Sequence, residues 1–415
     1  MVNFLSNKSN AGSSWRSLCS GVLALALTAV MGVAYAGKPP STIVPYTYYS
    51  VGNPAAPVNV SRPASPSYVL MGGGPDVDEA FRWMIQQAGI KTGTGGRLVV
   101  VRASGDGAYD PYIYYSNKKS SISRGDILDG WVGGASYGLT SVETLVIPSI
   151  AAANDPYVNS VVSKANAVWI AGGDQSNYIK FWKGQALETT LNALMANNVP
   201  IGGTSAGLAV LGQFDYSALN ASVTSPQALS NPYNADMTLD PVKTDGSLAT
   251  MNGFIAPHAL ANTILDSHFD SRDRMGRLVT FVSRLVGNYA GSGTQQFGCT
   301  GGVLGNNAAR GIGLGVETAL LVKWDPSGYP SAHYTGQRVT NISTTTESAV
   351  YFVNVTQGPT LCASGKPLTV PTSAVEVRKL SDTTIINLSE WTRTFPTAYK
   401  YLGVTSGVLS DTNPY

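Results

Sequence analysis

Short runs of consecutive apolar residues recur in the first half of the chain and are separated by helix-like or loop segments. These runs lie at residues 68–71, 98–101, 144–147 and 167–170. After the first run, residues 77–88 place apolar side chains at the spacing of one helix face. Continuous Val, Ile and Leu runs are typical of strands that are covered on both faces, so the pattern predicts a parallel sheet with crossover helices.

The second half of the chain has a different pattern. Alternating apolar and polar positions at residues 349–355, 374–380 and 383–388 predict an antiparallel extension of the same sheet. Two polar or glycine-dense stretches, at residues 220–252 and 287–311, are expected to be insertions or long loops near the functional site.

Three segments of the chain are expected from these patterns. Residues 1–36 form a signal peptide, residues 37–67 an extended N-terminal arm, and residues 68–415 a single α/β domain. The arm is rich in Pro, Ser, Tyr and Val and has no helical period.

The first 36 residues have the layout of a secretory signal. Lys8 and Arg16 precede an apolar run at residues 22–33, and the segment ends in the small-x-small sequence Ala34-Tyr35-Ala36. The apolar run is shorter than the roughly 20 residues that a membrane-spanning helix needs. We therefore expect cleavage after Ala36, export of the chain, and no membrane association after cleavage.

The content of charged residues, cysteines and histidines argues against several classes of function. Of the 415 residues only 13% are charged, and without the signal peptide the acidic and basic residues balance, which argues against a nucleic-acid partner. Cys299 and Cys362 would meet an oxidising compartment, where they could join if their Cα atoms approach within about 7 Å. With three histidines and no Cys-x-x-Cys or His-x-x-x-His pair, we expect no metal and no cofactor.

The most specific motif is Gly203-Thr204-Ser205-Ala206-Gly207, between a short strand and an apolar helix. A Gly-x-Ser-x-Gly sequence in this context predicts a nucleophile elbow, the sharp turn that exposes a serine hydroxyl at the carboxyl edge of a sheet. The backbone N–H of Ala206 would then be an oxyanion donor. The alternative is an ordinary glycine-rich turn between a strand and a helix.

Two further segments carry candidate chemistry. The sequence Gly172-Gly173-Asp174-Gln175 follows a buried strand, at the place where open parallel sheets bind ligands. Residues 265–278 contain His268 beside three arginines and three aspartates, in a chain otherwise poor in charge. Without a nucleophile nearby, this second segment would be interpreted as a solvated, salt-bridged helix face.

Together with Met71-Gly72-Gly73-Gly74-Pro75-Asp76, and in this order, these segments resemble the cyanophycinases, which belong to a serine peptidase family that also includes aspartyl dipeptidases. The resemblance spans roughly residues 68–325. It implies a sandwich like that of class I glutamine amidotransferases (flavodoxin-like), with a Ser-His-Glu triad. The order serine, histidine, acid differs from that of the α/β-hydrolases and counts against that fold.

The resemblance also implies the site residues. Ser205 looks like the nucleophile, His268 the general base and Glu317 the acid, with Asp215 as the nearest alternative acid. Oxyanion donors are the N–H groups of Ala206 and Gly173. The positions that match or border the substrate pocket are Gln175, Asp266, Ser267, Arg272, Arg274 and Arg277, where Ser267 stands in place of the family's Gln.

The implied function is a secreted bacterial serine exopeptidase, periplasmic or extracellular, that hydrolyses cyanophycin (multi-L-arginyl-poly-L-aspartate) to β-aspartyl-arginine dipeptides through an acyl-enzyme on Ser205. Two alternatives stay open: a secreted aspartyl or isoaspartyl dipeptidase that acts on small peptides, and a non-catalytic surface-binding protein with an inactive triad. Low charge and many aromatic residues permit a homodimer.

Overall fold

A computed structural model describes residues 44–116, 131–243, 246–249, 253–288, 297–394 and 397–415. The expected signal peptide lies outside these residues. Of the expected extended arm at 37–67, the structure describes residues 44–67. This part contains one complete strand, at Thr47–Gly52.

The strands, in chain order, are β1 (Thr47–Gly52), β2 (Ser67–Met71), β3 (Arg97–Arg102), β4 (Ser141–Val146), β5 (Ala167–Ile170), β6 (Ile201–Thr204), β7 (Asp215–Tyr216), β8 (Leu239–Asp240), β9 (Thr263–Asp266), β10 (Arg310–Leu314), β11 (Thr318–Trp324), β12 (Pro330–Gly336), β13 (Val350–Val355), β14 (Val370–Leu380), β15 (Ile386–Asn387), β16 (Lys400–Thr405) and β17 (Val408–Leu409). The helices are α1 (Asp78–Gln87), α2 (Tyr109–Tyr114), α3 (Ile150–Ala153), α4 (Pro156–Val162), α5 (Gln175–Trp182), α6 (Ala186–Ala196), α7 (Ala206–Ala209), α8 (Ser225–Ser230), α9 (Met275–Leu285) and α10 (Trp391–Thr394).

Nine of these strands form the larger sheet, in the order β1-β4-β3-β5-β6-β2-β11-β12-β15. The five strands from β4 to β2 in this order are parallel to one another, and their immediate neighbours on the two sides, β1 and β11, are antiparallel to them. The structure confirms the predicted apolar runs as β2 to β5 and the predicted helix as α1. The fold is therefore a mixed α/β fold with a parallel central sheet flanked by helices; the likeness to class I glutamine amidotransferases stays a prediction.

The apolar runs are continuous because both faces of the parallel strands are covered. In β3, Val99 and Val101 belong to the core under α3 to α6, whereas Leu98 and Val100 belong to the core under α1 and α2. Successive side chains of a strand point to opposite faces, so a strand buried on both sides must be apolar at every position.

A second, six-stranded sheet corrects the prediction of one extended sheet. Its order is β17-β16-β14-β13-β10-β9, and β9 and β10 are its parallel pair. The alternating segments at 349–355 and 374–380 lie here as β13 and β14, whereas the segment at 383–388 contributes β15 to the larger sheet.

The physical reason for the second sheet is helix α9, which is buried at nearly every position and needs apolar cover of its own. Strand β13 supplies it on one face with Tyr351, Val353 and Val355, while Val350 and Phe352 on the other face join the core of the larger sheet. The second sheet therefore separates two cores.

The two long stretches have different positions. Asn220, Ala221 and Ser222 border the cavity beside Ser205, as expected for a loop near the site. In contrast, none of the described residues of 287–311 lines that cavity; this stretch is joined to the core of the second sheet by a disulfide between Cys299 and Cys362, with their Cα atoms 5.1 Å apart.

Candidate active site

Ser205 lies at the sharp turn between β6 and α7, with φ 54° and ψ −115°. Few residues with a side chain adopt this backbone conformation, and strained backbone of this kind is typical of a nucleophile elbow. A Cβ at Gly203 would lie 2.5 Å from the carbonyl oxygen of Gly207, and a Cβ at Gly207 would lie 2.0 Å from that of Ile170. The two flanking glycines therefore permit a turn that no larger residue fits.

The elbow stands at the carboxyl edge of the parallel strands. In the sheet, β6 lies between β5 and β2, so Ser205 is flanked by the turns that follow these two strands. Gly172 belongs to the turn after β5, and a Cβ there would lie 3.3 Å from the Cβ of Ser205. The glycines at 172 and 173 let this loop approach the nucleophile closely.

His268 is the partner of Ser205. The Oγ of Ser205 and the Nε2 of His268 are 2.8 Å apart, within hydrogen-bonding distance. The histidine follows β9 of the six-stranded sheet, and its backbone N–H donates to the carbonyl of Gly72, in the turn after β2. The structure thus brings together two residues that are 63 positions apart in the sequence.

The imidazole of His268 is held in its neutral form. Burial, reinforced by the charges of Arg272 and Arg274, lowers its pKa to about 3. A histidine with a lowered pKa is unprotonated at neutral pH, so its Nε2 can accept the proton of the serine hydroxyl.

Glu317 approaches this pair from the other side of the turn after β2. Its backbone N–H donates to the carbonyl of Gly73, and a Cβ on Gly73 would lie 2.6 Å from the imidazole of His268. The carboxylate of Glu317 accepts hydrogen bonds from the backbone N–H groups of Val339 and Thr340 and from the Thr340 hydroxyl. Among the described residues, no hydrogen bond joins this carboxylate to the imidazole.

Asp215, the alternative acid, lies elsewhere. It is fully buried in β7, where it accepts a hydrogen bond from the backbone N–H of Gly212, and burial raises the pKa of its carboxyl. No hydrogen bond of the described residues joins it to His268.

An ion pair between Asp270 and Arg338 lies beneath the histidine loop. Asp270 is fully buried, accepts from the backbone N–H of Val316 at 3.0 Å and pairs with the guanidinium of Arg338. The Nε of Arg338 lies 3.5 Å from a carboxylate oxygen of Glu317. Arg338 therefore connects the His268 loop to the candidate acid, and no motif in the sequence indicated this arginine.

Tyr415 is a second residue that sequence patterns missed. Its hydroxyl accepts a hydrogen bond from the backbone N–H of Met275 and lies 2.9 Å from a carboxylate oxygen of Asp273, while its ring packs edge-on against Phe269. These contacts fasten both ends of the loop that carries His268. The sequence separation of 140 residues leaves no local signal for them.

A polar cavity of about 360 Å³ opens on one side of Ser205, and we call it the arginine cavity. Ser205 and both expected oxyanion residues, Ala206 and Gly173, border it. The expected pocket residues all line it as well: Gln175, Asp266, Ser267, Arg272, Arg274 and Arg277.

Asp266, one of the expected pocket residues, forms its ion pairs within the protein. Arg277 donates to both oxygens of the Asp266 carboxylate, at 2.7 and 2.6 Å, and Arg274 lies 3.3 Å from it. Asp266 is therefore occupied by the chain's own guanidinium groups and holds them in place. Arg272 is exposed and has no ion pair among the described residues, so its guanidinium is available to a ligand.

The remaining pocket residues are held by local bonds. The side-chain amide of Gln175 donates to the carbonyl of Tyr216, and the carbonyl of Ser267 accepts from Arg274 at 2.6 Å. Burial lowers the pKa of Arg274 to about 10, so this side chain stays charged at neutral pH.

Comparison with known proteins gives one family match. The model of Peptidase family S51 matches residues 137–288, a range that contains the Gly172–Gln175 turn, the elbow and the His268 loop but ends before Glu317. No curated protein matches the chain.

Two solved structures are similar over most of their length. A peptidase from an acI-B1 Actinobacterium is 12% identical, with a TM-score of 0.39, and the match covers 79% of this chain and 98% of that one. A putative Peptidase E protein from Listeria monocytogenes EGD-e is 11% identical, with a TM-score of 0.35. The match covers 66% of this chain and 100% of that one. Similarity at this level does not bear on the substrate.

The match to a peptidase family and the paired Ser205 and His268 identify the chain as a serine-type peptidase. In the described part of the chain, no group of three or more His, Cys, Asp or Glu side chains could hold a metal ion. No described helix is both long and apolar enough to cross a membrane.

Proposed function

We propose that this peptidase is a secreted cyanophycinase, which releases β-aspartyl-arginine from the polymer. The observation that carries the proposal is that Ser205 forms a hydrogen-bonded pair with His268 and also borders a cavity with an exposed arginine. Cyanophycin offers free carboxylates along with its guanidinium groups, and Arg272 can pair with a carboxylate in bidentate geometry.

The reaction would begin with proton transfer. The Oγ of Ser205 attacks the carbonyl carbon of a backbone peptide bond while its proton passes to the Nε2 of His268. When the tetrahedral intermediate collapses, the carbon–nitrogen bond breaks and His268 gives the proton to the leaving amine. A water molecule then attacks the acyl-enzyme by the same route and regenerates the serine.

Stabilisation of the negative oxygen would come from the backbone N–H groups of Ala206 and Gly173. Ala206 is the first residue of α7, and the first N–H groups of a helix have no partner within the helix. Each oxyanion donor typically lowers the barrier by about 3 kcal/mol.

Glu317 would act as the acid of the triad from its position behind the Gly72–Gly73 turn. It shares this turn with His268, since both backbones donate hydrogen bonds to it. In this arrangement Glu317 positions the imidazole through Gly73, and a direct contact would require its carboxylate to leave Val339 and Thr340.

Export of the chain fits this substrate. Cyanophycin is insoluble in water and must be cut before a cell can take it up. The layout of residues 1–36 supports secretion to the periplasm or the medium.

The test is incubation of the secreted protein with insoluble cyanophycin, with products identified by mass. We expect β-aspartyl-arginine from the wild type and a loss of at least about 10⁴-fold in rate for Ser205→Ala, because the nucleophile is removed. Ser163→Ala is the matched control, since Ser163 is exposed and does not line the arginine cavity. Turnover by Ser205→Ala near the wild-type rate would refute the assignment.

The second candidate function is a secreted aspartyl or isoaspartyl dipeptidase. The size of the arginine cavity favours it, because about 360 Å³ suits a small ligand. Parallel assays on polymer granules and on short Asp-X peptides separate the two, since only a polymer enzyme clears the granules.

The non-catalytic alternative is tested by covalent labelling with a serine-directed fluorophosphonate. A working elbow should label, and Ser205→Ala should not. Failure of the wild type to label would favour a surface-binding protein with an inactive triad.

A further inference from the structure

A second cavity opens on the other side of Ser205, and none of the expected pocket residues lines it. We call it the aspartate cavity; it has a volume of about 390 Å³, and its lining includes Ser205, His268, Asp76, Asp106 and Tyr109. The arginine cavity shares only Ser205 with it. The nucleophile therefore stands at the boundary between two cavities, and a chain cut there would extend into both.

The two cavities have opposite charge. The arginine cavity has four cationic side chains, Lys180, Arg272, Arg274 and Arg277, and two carboxylates, those of Asp174 and Asp266. The aspartate cavity has two carboxylates, those of Asp76 and Asp106, and one guanidinium, that of Arg102.

The guanidinium of Arg102 forms hydrogen bonds within its own loop. Its Nε donates to the carbonyl of Ser104 and its Nη1 to the carbonyl of Asp106 at 3.0 Å. The guanidinium thus holds the loop that borders the cavity, and its hydrogen bonds are made to backbone oxygens.

Asp76 is held in place from inside the protein. Its carboxylate accepts a hydrogen bond of 2.7 Å from the hydroxyl of Tyr109. Burial raises the pKa of Asp76 to about 6, because the charged carboxylate is removed from water. A bound cation would stabilise this charged form. The Thr204 hydroxyl lies on the same wall and, like that of Tyr109, stabilises the charged form of the Asp76 carboxylate, which partly offsets the effect of burial.

Tyr109 and Tyr112 also line the aspartate cavity. Aromatic faces attract cations, and the attraction is stronger where water is excluded. Carboxylates next to aromatic rings form a site for a planar guanidinium or an ammonium group.

We propose that the aspartate cavity is a second substrate subsite, which binds a cationic side group of the peptide across the scissile bond from the arginine cavity. This inference rests on the proposed function, because it assigns the cationic groups of that substrate to Asp76. Asp266, the carboxylate among the expected pocket residues, is already paired with Arg274 and Arg277.

The first experiment measures binding without turnover. Butylguanidinium and its neutral isostere butylurea are titrated into the whole protein by calorimetry. We expect the wild type to bind the guanidinium at least about tenfold more tightly than the urea, and Asp76→Asn to lose this difference. Asp325→Asn, which makes the same change of charge at a half-buried position before an exposed turn and lines neither cavity, should keep it.

The second experiment uses soluble peptides that carry arginine or the neutral citrulline, on either side of the scissile bond. The ratio of kcat/KM for arginine over citrulline should be about tenfold or more on one side in the wild type, and near one in Asp76→Asn. This ratio is internal to each variant, so a partial loss of folded protein cancels.

The outcomes separate the two proposals. An unchanged ratio in Asp76→Asn, or equal binding of guanidinium and urea by the wild type, overturns the subsite. Specific guanidinium binding without cleavage of any peptide or polymer instead leaves the subsite intact and refutes the proposed function.

Discussion

The serine and the histidine of the site follow strands of two different sheets, and different kinds of contact hold them in position. Ser205 stands at the end of a parallel strand of the nine-stranded sheet, in a turn shaped by the close contacts of Gly203, Gly207 and Ile170. His268 follows a strand of the six-stranded sheet, in a loop bonded to Gly72 and supported by Tyr415. The elbow is thus defined by steric contacts between backbone atoms, and the histidine loop by hydrogen bonds to distant segments.

This difference predicts how each region responds to substitution. A steric requirement is all-or-none, because a clash of backbone atoms cannot be relieved by a side-chain rotation. Where several separate hydrogen bonds hold a loop, the enzyme should instead lose activity in steps as each hydrogen bond is removed.

The largest effect is expected for Gly207→Ala, which tests the elbow. The new Cβ would lie 2.0 Å from the carbonyl oxygen of Ile170, so strand and helix must separate and the serine must move. We expect near-complete loss of peptidase activity and a decrease of about 1–3 kcal/mol in the free energy of unfolding. Activity assays and denaturant unfolding measure both.

Gly305→Ala is the matched control for this variant. A Cβ at Gly305 meets no atom within 4 Å, so activity and stability should stay near those of the wild type. Full activity in Gly207→Ala would show that the elbow is less tightly constrained than its geometry indicates.

A smaller effect is expected for Tyr415→Phe, which tests the histidine loop. The ring and its packing against Phe269 remain, but the hydrogen bond with the N–H of Met275 and the contact with Asp273 are lost. A hydrogen bond of this kind contributes about 1 kcal/mol, so we expect kcat/KM to fall about 5- to 10-fold.

The readout that distinguishes positioning from general destabilisation is the split between kcat and KM at a temperature where the variant is fully folded. A displaced His268 should lower kcat, whereas Tyr233→Phe, which removes a hydroxyl bonded to Thr300 and outside both cavities, should leave it unchanged. An unchanged kcat in Tyr415→Phe would assign this tyrosine to stability alone.

The smallest effect is expected when the pH of the activity assay is lowered from 7 to 5. Because burial, Arg272 and Arg274 lower the pKa of His268 to about 3, the imidazole stays unprotonated well below the ordinary histidine value of 6.5. Activity should therefore persist as the pH falls from 7 to 5 and decline only when the imidazole is protonated. The measurement is kcat/KM against pH with a peptide that has no cationic side group, which leaves Asp76 without a ligand to bind.

A decline centred at pH 6.5 or above in this experiment would contradict the lowered pKa. It would indicate that a carboxylate contacts the imidazole in the working enzyme and raises its pKa, the role expected of Glu317 from the resemblance.

Several features could be predicted because they depend on near neighbours in the chain. The continuous apolar runs indicated β2 to β5, since strands covered on both faces have no polar positions. The Gly-x-Ser-x-Gly spacing indicated the elbow, since only glycine fits beside such a turn. The charged segment around His268 supplied Asp266, Arg272, Arg274 and Arg277 to one cavity.

Other features depend on segments that are far apart in the sequence. The alternating pattern at 349–355 and 374–380 predicts the strands β13 and β14, but it does not show which sheet they join. That choice depends on how helix α9 is covered. Likewise, charge alone could not show that Asp266 is neutralised by Arg277, or that Asp76 lies across the nucleophile from it.

By itself the sequence determined the parallel strands and the serine elbow, because strand periodicity and the glycine spacing of the turn are both local features of the sequence. Only the tertiary structure decided that a second sheet brings His268 to that serine, that Glu317 lies behind a glycine turn, and that two cavities of opposite charge meet at the nucleophile. These arrangements follow from packing between distant segments, and their free energy is distributed over contacts that no local pattern records.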